Sequence, residues 1–284
     1  MNNKIILFLP ILIVLISCKQ NKYEPTNLIK LSEEEQIVRI KNKQYANARN
    51  IVYKNEQGET LTFDSIYKIS NSNDWTFDTY VNTDGVIEEK IIRKANKKDK
   101  QFLIKLKQAY NYQPPVEIIE IDCNKKPEIL DEIYELDQNM RNGSEPIDPK
   151  IDRENLAKVI SLVENCGMPT LKDVNSKQMK TIWLVFQHSD YESMKKYFPL
   201  LEKSANKGDL KKTYIAMMKD RLLMTNGEPQ LYGSQVISDY ENGWKLYDLK
   251  EPELVNKRRR EVGFEPLEDY LMNWDIKFDI EQIE

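Results

Sequence analysis

Apolar and polar residues alternate along the chain between residues 51 and 92, which is the period of a β-strand with one buried face. The clearest stretch runs from Trp75 to Val81, continues through an Asp84–Gly85 pair typical of a tight turn, and returns from Val86 to Ile92. A weaker pattern over 51–63, with turn-forming residues at 55–58, has the same form. The alternation predicts two β-hairpins.

Helices are predicted on both sides of these hairpins. Ser32 precedes a Glu-rich first turn, which predicts an N-cap and a helix to about Asn47. A second helix is expected near 98–110, so residues 30–113 form a small α+β module. After Pro114–Pro115, residues 116–121 have the composition of one strand.

From Pro127 the apolar period changes to that of amphipathic helices. Five helices are expected, at 127–142, from Asp152 to 166, and from Ser176, Asp190 and Asp209 onwards. A short hairpin over 231–247 and a basic helix from Pro252 complete the chain. The predicted fold class is α+β, with the N-terminal module followed by a mainly helical bundle domain at 116–284.

The N-terminus has the form of an export signal. Lys4 precedes an unbroken apolar run over 5–16, which at about 1.5 Å per residue falls short of the roughly 30 Å bilayer core. The run and its Leu-Ile-Ser-Cys end resemble a bacterial lipoprotein signal, whose cysteine is lipidated and becomes the first mature residue. The alternative is a plain secretory signal with an incidental Cys18.

The resemblance implies a signal peptide at 1–17, a polar tether at 18–29 and membrane attachment through Cys18. Lys19 stands where some bacteria use aspartate to retain lipoproteins at the inner membrane. The expected location is therefore the periplasmic face of the outer membrane.

Composition narrows the class further. A charged fraction of 31% and a net charge of −4 argue against an integral membrane protein and against nucleic acid as a partner. One histidine cannot build a His-rich metal site, and the common nucleotide and hydrolase motifs are missing. We therefore expect no cofactor and no metal.

The cysteines that remain after Cys18 are Cys123 and Cys166, 43 positions apart. An oxidising compartment permits a disulfide between them. The alternative, which the sequence favours, is two buried thiols. Their spacing argues against zinc.

Charged residues lie where two helices should be apolar. Asp137 falls inside the apolar arc of its helix, and Arg141 lies one turn further along the same side. Arg221 lies at the centre of another apolar face, with Asp220 at the edge. Because a buried unpaired charge is costly, we expect Asp137 and Arg221 to find partners, with each other as one option. Such pairs can be purely structural.

Polar candidates follow in the second half of the bundle. His188 is followed by Asp190 at a predicted helix junction, and the segment 227–235 is rich in amide and hydroxyl groups suited to a polar ligand. The catalytic candidates are His188, Asp190 and Asp220. The ligand-binding candidates are Asp137, Arg141, Arg221, Gln230, Tyr232 and Gln235. A lone histidine is more often an ordinary junction residue.

An ordered series of short motifs extends over roughly residues 125 to 272. Its members are Asp137-Gln138, Arg141, Asn155, Gly167-Met168-Pro169, His188, Asp190, Asp220-Arg221, Gln230, Tyr232-Gly233-Ser234-Gln235, Arg259-Arg260, Gly263 and Pro266-Leu267. The series resembles the family numbered 6624 among the domains of unknown function, in which Ser234 replaces the more usual threonine. The resemblance implies a shared polar site and no established activity.

Two hypotheses for function follow. The first is a non-catalytic envelope lipoprotein that binds a small polar ligand or partner, or acts as a scaffold. The second is a hydrolase or transferase on an envelope substrate, with His188 oriented by Asp190 or Asp220 and an arginine, Arg221 or Arg141, holding an anionic group. Catalysis of this kind requires His188, Asp220 and Gln235 to converge on one open pocket.

Overall fold

A computed structural model describes residues 22–70, 74–143, 147–239 and 243–283 of the chain. The signal segment and Cys18 lie outside the described residues. Contacts divide the chain into two units, one with residues up to Leu31 and Ala46–Ala95, the other with Ser32–Tyr45 and Asn96–Glu284. This division differs from the predicted boundary at Pro114–Pro115, because residues 32–45 and 96–113 belong to the larger unit.

Strands and helices both occur, which confirms the predicted α+β class. The strands in the described residues are β1 (Ile29–Lys30), β2 (Val52–Lys54), β3 (Thr60–Leu61), β4 (Trp75–Val81), β5 (Ile87–Lys94), β6 (Val236–Asp239) and β7 (Gly243–Leu246). The α-helices there are α1 (Glu33–Lys41), α2 (Phe63–Ser70), α3 (Lys97–Tyr110), α4 (Lys126–Asn142), α5 (Pro149–Cys166), α6 (Ser176–Gln187), α7 (Tyr191–Asn206), α8 (Lys212–Thr225), α9 (Val255–Val262) and α10 (Leu267–Leu271).

The smaller unit is built on a five-stranded sheet of order β1-β4-β5-β2-β3, in which β2 and β5 run parallel. Both predicted hairpins are confirmed, since β4 pairs with β5 and β2 with β3. Phe63 begins α2 and does not extend β3. Part of the segment predicted as a tether is also packed, because the Tyr23 N–H donates to the Glu56 carbonyl and β1 begins at Ile29.

The larger unit has its core among α4 to α8. Leu130, Ile133, Ile182, Phe186 and Leu201 are fully buried there. Glycine ends α5 as expected, since Gly167 takes a positive φ of 75° after Cys166. Among the described residues, none of the helices has both the length and the apolar character needed to cross a bilayer.

Three predicted helix boundaries are wrong. Ser32 caps α1, since its Oγ accepts from the Glu35 N–H and its own N–H donates to Glu35 Oε2, but the helix ends at Lys41 and not near Asn47. Asp148, not Asp152, caps α5 and places Pro149 at the first helical position. Asp209 does not cap α8, because its Oδ1 accepts from the Leu171 N–H instead.

The predicted strand at 116–121 does not form. The Ile119 N–H donates to Ser161 Oγ at 2.9 Å, and Asn165 Nδ2 donates to the Ile119 carbonyl at 2.9 Å. Side chains of α5 therefore satisfy the backbone groups that a neighbouring strand would have bonded.

Cys123 and Cys166 form a disulfide, with their Cα atoms 5.6 Å apart. The alternative of two free thiols, which the sequence favoured, is therefore wrong. The bond joins the short turn before α4 to the last residue of α5. Both ends are positions that sequence spacing alone could not place side by side.

Candidate functional site

His188 and Asp137 meet at one end of the helical bundle. His188 is the C-cap of α6, and its Nδ1 donates to Asp137 Oδ1 on α4 at 3.0 Å. The His188 side chain keeps 23% of its surface exposed, whereas the Asp137 residue is only 1% exposed. The pair therefore joins a buried carboxylate to a ring that still reaches solvent.

Asp137 is held by further donors. Arg141 Nη1 donates to Oδ1 at 2.7 Å, and Gln138 Nε2 donates to Oδ2 at 2.8 Å. Arg141 Nη2 also reaches both oxygens of Asp152, at 3.0 and 3.1 Å. Burial raises the pKa of Asp137, but the bond and charge of His188, with Gln138 and Arg141, outweigh it and leave this pKa below its ordinary value.

Arg221 does not pair with Asp137, so that expected option is wrong. Within the described residues, its buried Nε has no hydrogen-bond partner, and no ion pair joins its guanidinium to another side chain. Burial lowers the pKa of Arg221, but a guanidinium stays protonated in proteins. This partly buried cation therefore has no counter-charge among the side chains that the structure describes.

His188 and Arg221 instead line the same cleft, of about 440 Å³. The cleft lies within the larger unit, where the ends of α3 and α8 meet the junction between α6 and α7. Its other lining residues include Lys43, Gln108, Tyr110, Asn111, Tyr112, Gln113, Ser189, Asp190, Tyr191, Met194, Met224 and Thr225. Amide, phenol and cationic groups therefore surround one open space.

Asp190 is the one acidic residue among the lining residues described, and its oxygens are occupied. As N-cap of α7 it accepts from the backbone N–H groups of Glu192 and Ser193 and from Ser193 Oγ. The hydrogen-bond partner of His188 is Asp137 and neither Asp190 nor Asp220. The expectation that Asp190 or Asp220 orients His188 is therefore wrong.

Asp220 lies in a separate buried network. It is 0% exposed, and it accepts from the backbone N–H groups of Leu231, Tyr232 and Ser234 and from Ser234 Oγ at 2.9 Å. Burial raises the pKa of Asp220 although these bonds act in the opposite direction. The carboxylate ties α8 to the loop after it, and the serine at 234 supplies the hydroxyl for that bond.

Gln230, Tyr232 and Gln235 belong to this loop and not to the cleft lining. Gln230 Nε2 donates to the carbonyls of Gln235 and Tyr247, both at 2.9 Å, and its Oε1 accepts from the Gln235 N–H at 2.8 Å. Arg259 Nη1 donates to the Tyr232 carbonyl at 2.6 Å. The polar groups of the segment therefore stabilise the conformation of the loop. His188, Asp220 and Gln235 do not converge on one pocket.

Asn155 belongs to the motif series, but it was not among the catalytic and ligand-binding candidates. Asn155 on α5 is 1% exposed, and within the described part of the chain neither its Nδ2 nor its Oδ1 has a hydrogen-bond partner. Asn155 lies one turn before Val159 on the buried face of α5. A polar residue on the apolar face of a helix is the same signal that identified Asp137. Where the structure is described, no cluster of His, Cys, Asp or Glu is arranged to hold a metal ion.

Comparison with known proteins bears on this part of the chain. Residues 147–280 match DUF6624, a family of unknown function. The match confirms the resemblance of the C-terminal part and includes His188, Arg221 and the loop around Gln230. Asp137 and Arg141 lie before the DUF6624 region. No curated protein and no solved structure matches the chain.

Proposed function

We propose that the chain is an envelope lipoprotein anchored through Cys18 whose larger unit binds a small ligand with a phosphate or carboxylate group in the cleft. The role is binding, without catalysis. The lipoprotein part of the proposal rests on the N-terminal sequence, and the ligand part rests on Arg221.

The guanidinium of Arg221, whose buried Nε has no hydrogen-bond partner among the described residues, carries the proposal. Arginine presents several N–H donors in a planar fork that matches a phosphate or a carboxylate. Leaving such a group partly buried without a partner is costly, and an anionic ligand in the cleft would remove that cost. Lys43, on the same lining, adds a second positive charge.

The remaining lining supports a polar organic ligand. Tyr110, Tyr112 and Tyr191 offer ring faces and hydroxyl groups, and Gln108 and Gln113 offer amides. The negative charge of Asp190 is outnumbered by the positive charges of Arg221 and Lys43, and its oxygens already accept three hydrogen bonds. The charge balance of the lining therefore favours an anion.

The His188–Asp137 bond favours a second candidate, a hydrolase. A carboxylate that accepts from one ring nitrogen fixes the ring and leaves the other nitrogen free to take a proton. Ser189, next to His188, is not available as a nucleophile because its Oγ donates to the Phe186 carbonyl at 2.7 Å. In this candidate water would be the nucleophile, and His188 would be the base.

Titration calorimetry with inorganic phosphate and, separately, acetate tests the binding function. We expect saturable binding of at least one anion, and a loss of about tenfold or more in Arg221→Gln, since a charged hydrogen bond contributes about 1.5 kcal/mol or more. Arg49→Gln, at an exposed position in the smaller unit, is the matched control and should bind like the wild type. Equal affinity of Arg221→Gln and wild type would exclude this site.

Release of p-nitrophenol from nitrophenyl acetate and nitrophenyl phosphate separates the two candidates. The binding function predicts no turnover above buffer. Turnover that disappears in His188→Gln while phosphate binding persists would support the hydrolase instead.

A further inference from the structure

A small chamber of about 10 Å³ lies behind His188. Gln113, Asp137, Asp152, Asn155 and His188 are among the residues that line it. A cavity of roughly 10 to 15 Å³ holds about one water molecule. The chamber is therefore of the size of a single hydroxyl group or water.

Asn155 points to an occupant. Its side-chain amide is buried in the chamber wall, and within the described residues both Nδ2 and Oδ1 are without a hydrogen-bond partner. Buried amides nearly always have partners, supplied by protein, water or ligand. An amide that lacks both donor and acceptor partners at a cavity is suited to a group that can both donate and accept.

The charges around the chamber disfavour an anionic occupant. Asp137 accepts from His188, Gln138 and Arg141 Nη1, and both oxygens of Asp152 accept from Arg141 Nη2. Two carboxylates share the single guanidinium of Arg141, so the wall repels an anion. A bare cation could not accept from the Asn155 amide, whereas an uncharged hydroxyl can both donate and accept.

The chamber adjoins the cleft. Gln113, His188 and Ser189 line both spaces, so the chamber and the cleft share one wall. A ligand in the cleft therefore meets the chamber at these three residues.

We propose that the chamber is a subsite that binds one uncharged hydroxyl group of the cleft ligand through Asn155, and that a water molecule takes this place when no ligand is bound. This inference rests on the proposed anion-binding function. It narrows the ligand class to a polyol or sugar that carries a phosphate or carboxylate group.

Two pairs of probes test the subsite. Glycerol 3-phosphate is compared with n-propyl phosphate, and glycerate with propionate, by calorimetry on the full mature chain. We expect the hydroxylated member of the anion pair that binds to be favoured by about fivefold to tenfold, the scale of one hydrogen bond. Asn155→Leu should abolish that preference without weakening the member that lacks hydroxyls, and Arg221→Gln should weaken both.

Asn139→Leu, on the exposed surface of α4, is the matched control and should keep the preference. Equal binding of both members by the wild type, or a preference that survives in Asn155→Leu, overturns the subsite and leaves the anion site standing. Absence of binding by all four probes overturns both.

Melting temperature gives a test that needs no ligand. Because leucine has a similar volume and gives up only the bonds that Asn155 makes to one water molecule, Asn155→Leu should melt within about 5 °C of the wild type. A fall of more than about 5 °C, which for a chain of this size exceeds 1 kcal/mol, would show that Asn155 is structural and would overturn the subsite.

Discussion

His188 Nδ1 donates to Asp137 Oδ1 at 3.0 Å, although the two residues are 51 positions apart and lie on different helices. The bond determines the structural role of each residue. Asp137 is a buried anchor with several donors, and His188 is a partly exposed ring fixed at the edge of the cleft.

Replacing Asp137 should cost more stability than any other change in this cluster. Asp137→Ala leaves Arg141 and His188 without their shared acceptor, and we expect a loss of about 3 kcal/mol in the free energy of unfolding. Urea denaturation measures the loss. In Asp137→Leu combined with Arg141→Met much of it should be recovered, whereas Asp137→Leu with Arg221→Met should show no recovery. Recovery with Arg221 would contradict the pairing described above.

The pH dependence of stability should carry the signature of Asp137. Its contacts leave the folded-state pKa below the unfolded value of roughly 3.9, so its contribution is present above that value and is lost as pH falls through the folded pKa. Asp137→Asn should therefore flatten the rise in the free energy of unfolding between about pH 2 and 5. Urea titrations at several pH values measure it, with Glu120→Gln as an exposed control. Parallel curves for wild type and Asp137→Asn would count against this assignment.

Asp220 and His188 should differ in their effect on folding. Asp220→Ala removes the acceptor of three backbone N–H groups in the loop, and a loss of roughly 2 to 4 kcal/mol is expected. His188→Ala removes one hydrogen bond from a partly exposed ring and should cost about 1 kcal/mol. Thermal unfolding of the two variants under one buffer condition gives the comparison. Equal losses would mean that His188 is as structural as Asp220.

The Cys123–Cys166 bond should stabilise the larger unit. It closes a loop with a sequence separation of 43, for which restriction of the unfolded chain predicts about 4 kcal/mol. Reduction should lower the melting temperature of the wild type, and Cys123→Ser with Cys166→Ser should melt at the lower temperature whether or not reductant is present. A wild type that is insensitive to reductant, in protein shown to be fully reduced, would contradict the prediction.

Lipidation at Cys18 stays a prediction from sequence, because the residue lies outside those that the structure describes. Cells grown with labelled palmitate should incorporate label into the wild type and not into Cys18→Ala. The variant should also move from the membrane to the soluble envelope fraction, because it lacks the acyl chains that anchor the protein. Unlabelled wild type with unchanged fractionation of the variant would identify a plain secretory signal.

The sequence by itself determined the local elements. Period-two alternation and the Asp84–Gly85 turn were sufficient for the main hairpin, and caps at Ser32 and Asp190 were sufficient for two helix starts. The buried position of Asp137 also followed, because helical period places a residue on a face without any knowledge of its partner. These features depend on neighbours within a few residues.

Only the tertiary structure decided the partners. Asp137 selects Arg141 and His188 and not Arg221, Gln230 bonds its own loop, and Cys123 reaches Cys166, because each outcome depends on how separate helices pack. The cleft and the chamber are likewise spaces between elements, which no periodicity records. The sequence could therefore place Arg221 on an apolar face, but only the packing of the helices determined that, within the described residues, Arg221 Nε and the Asn155 amide have no hydrogen-bond partner.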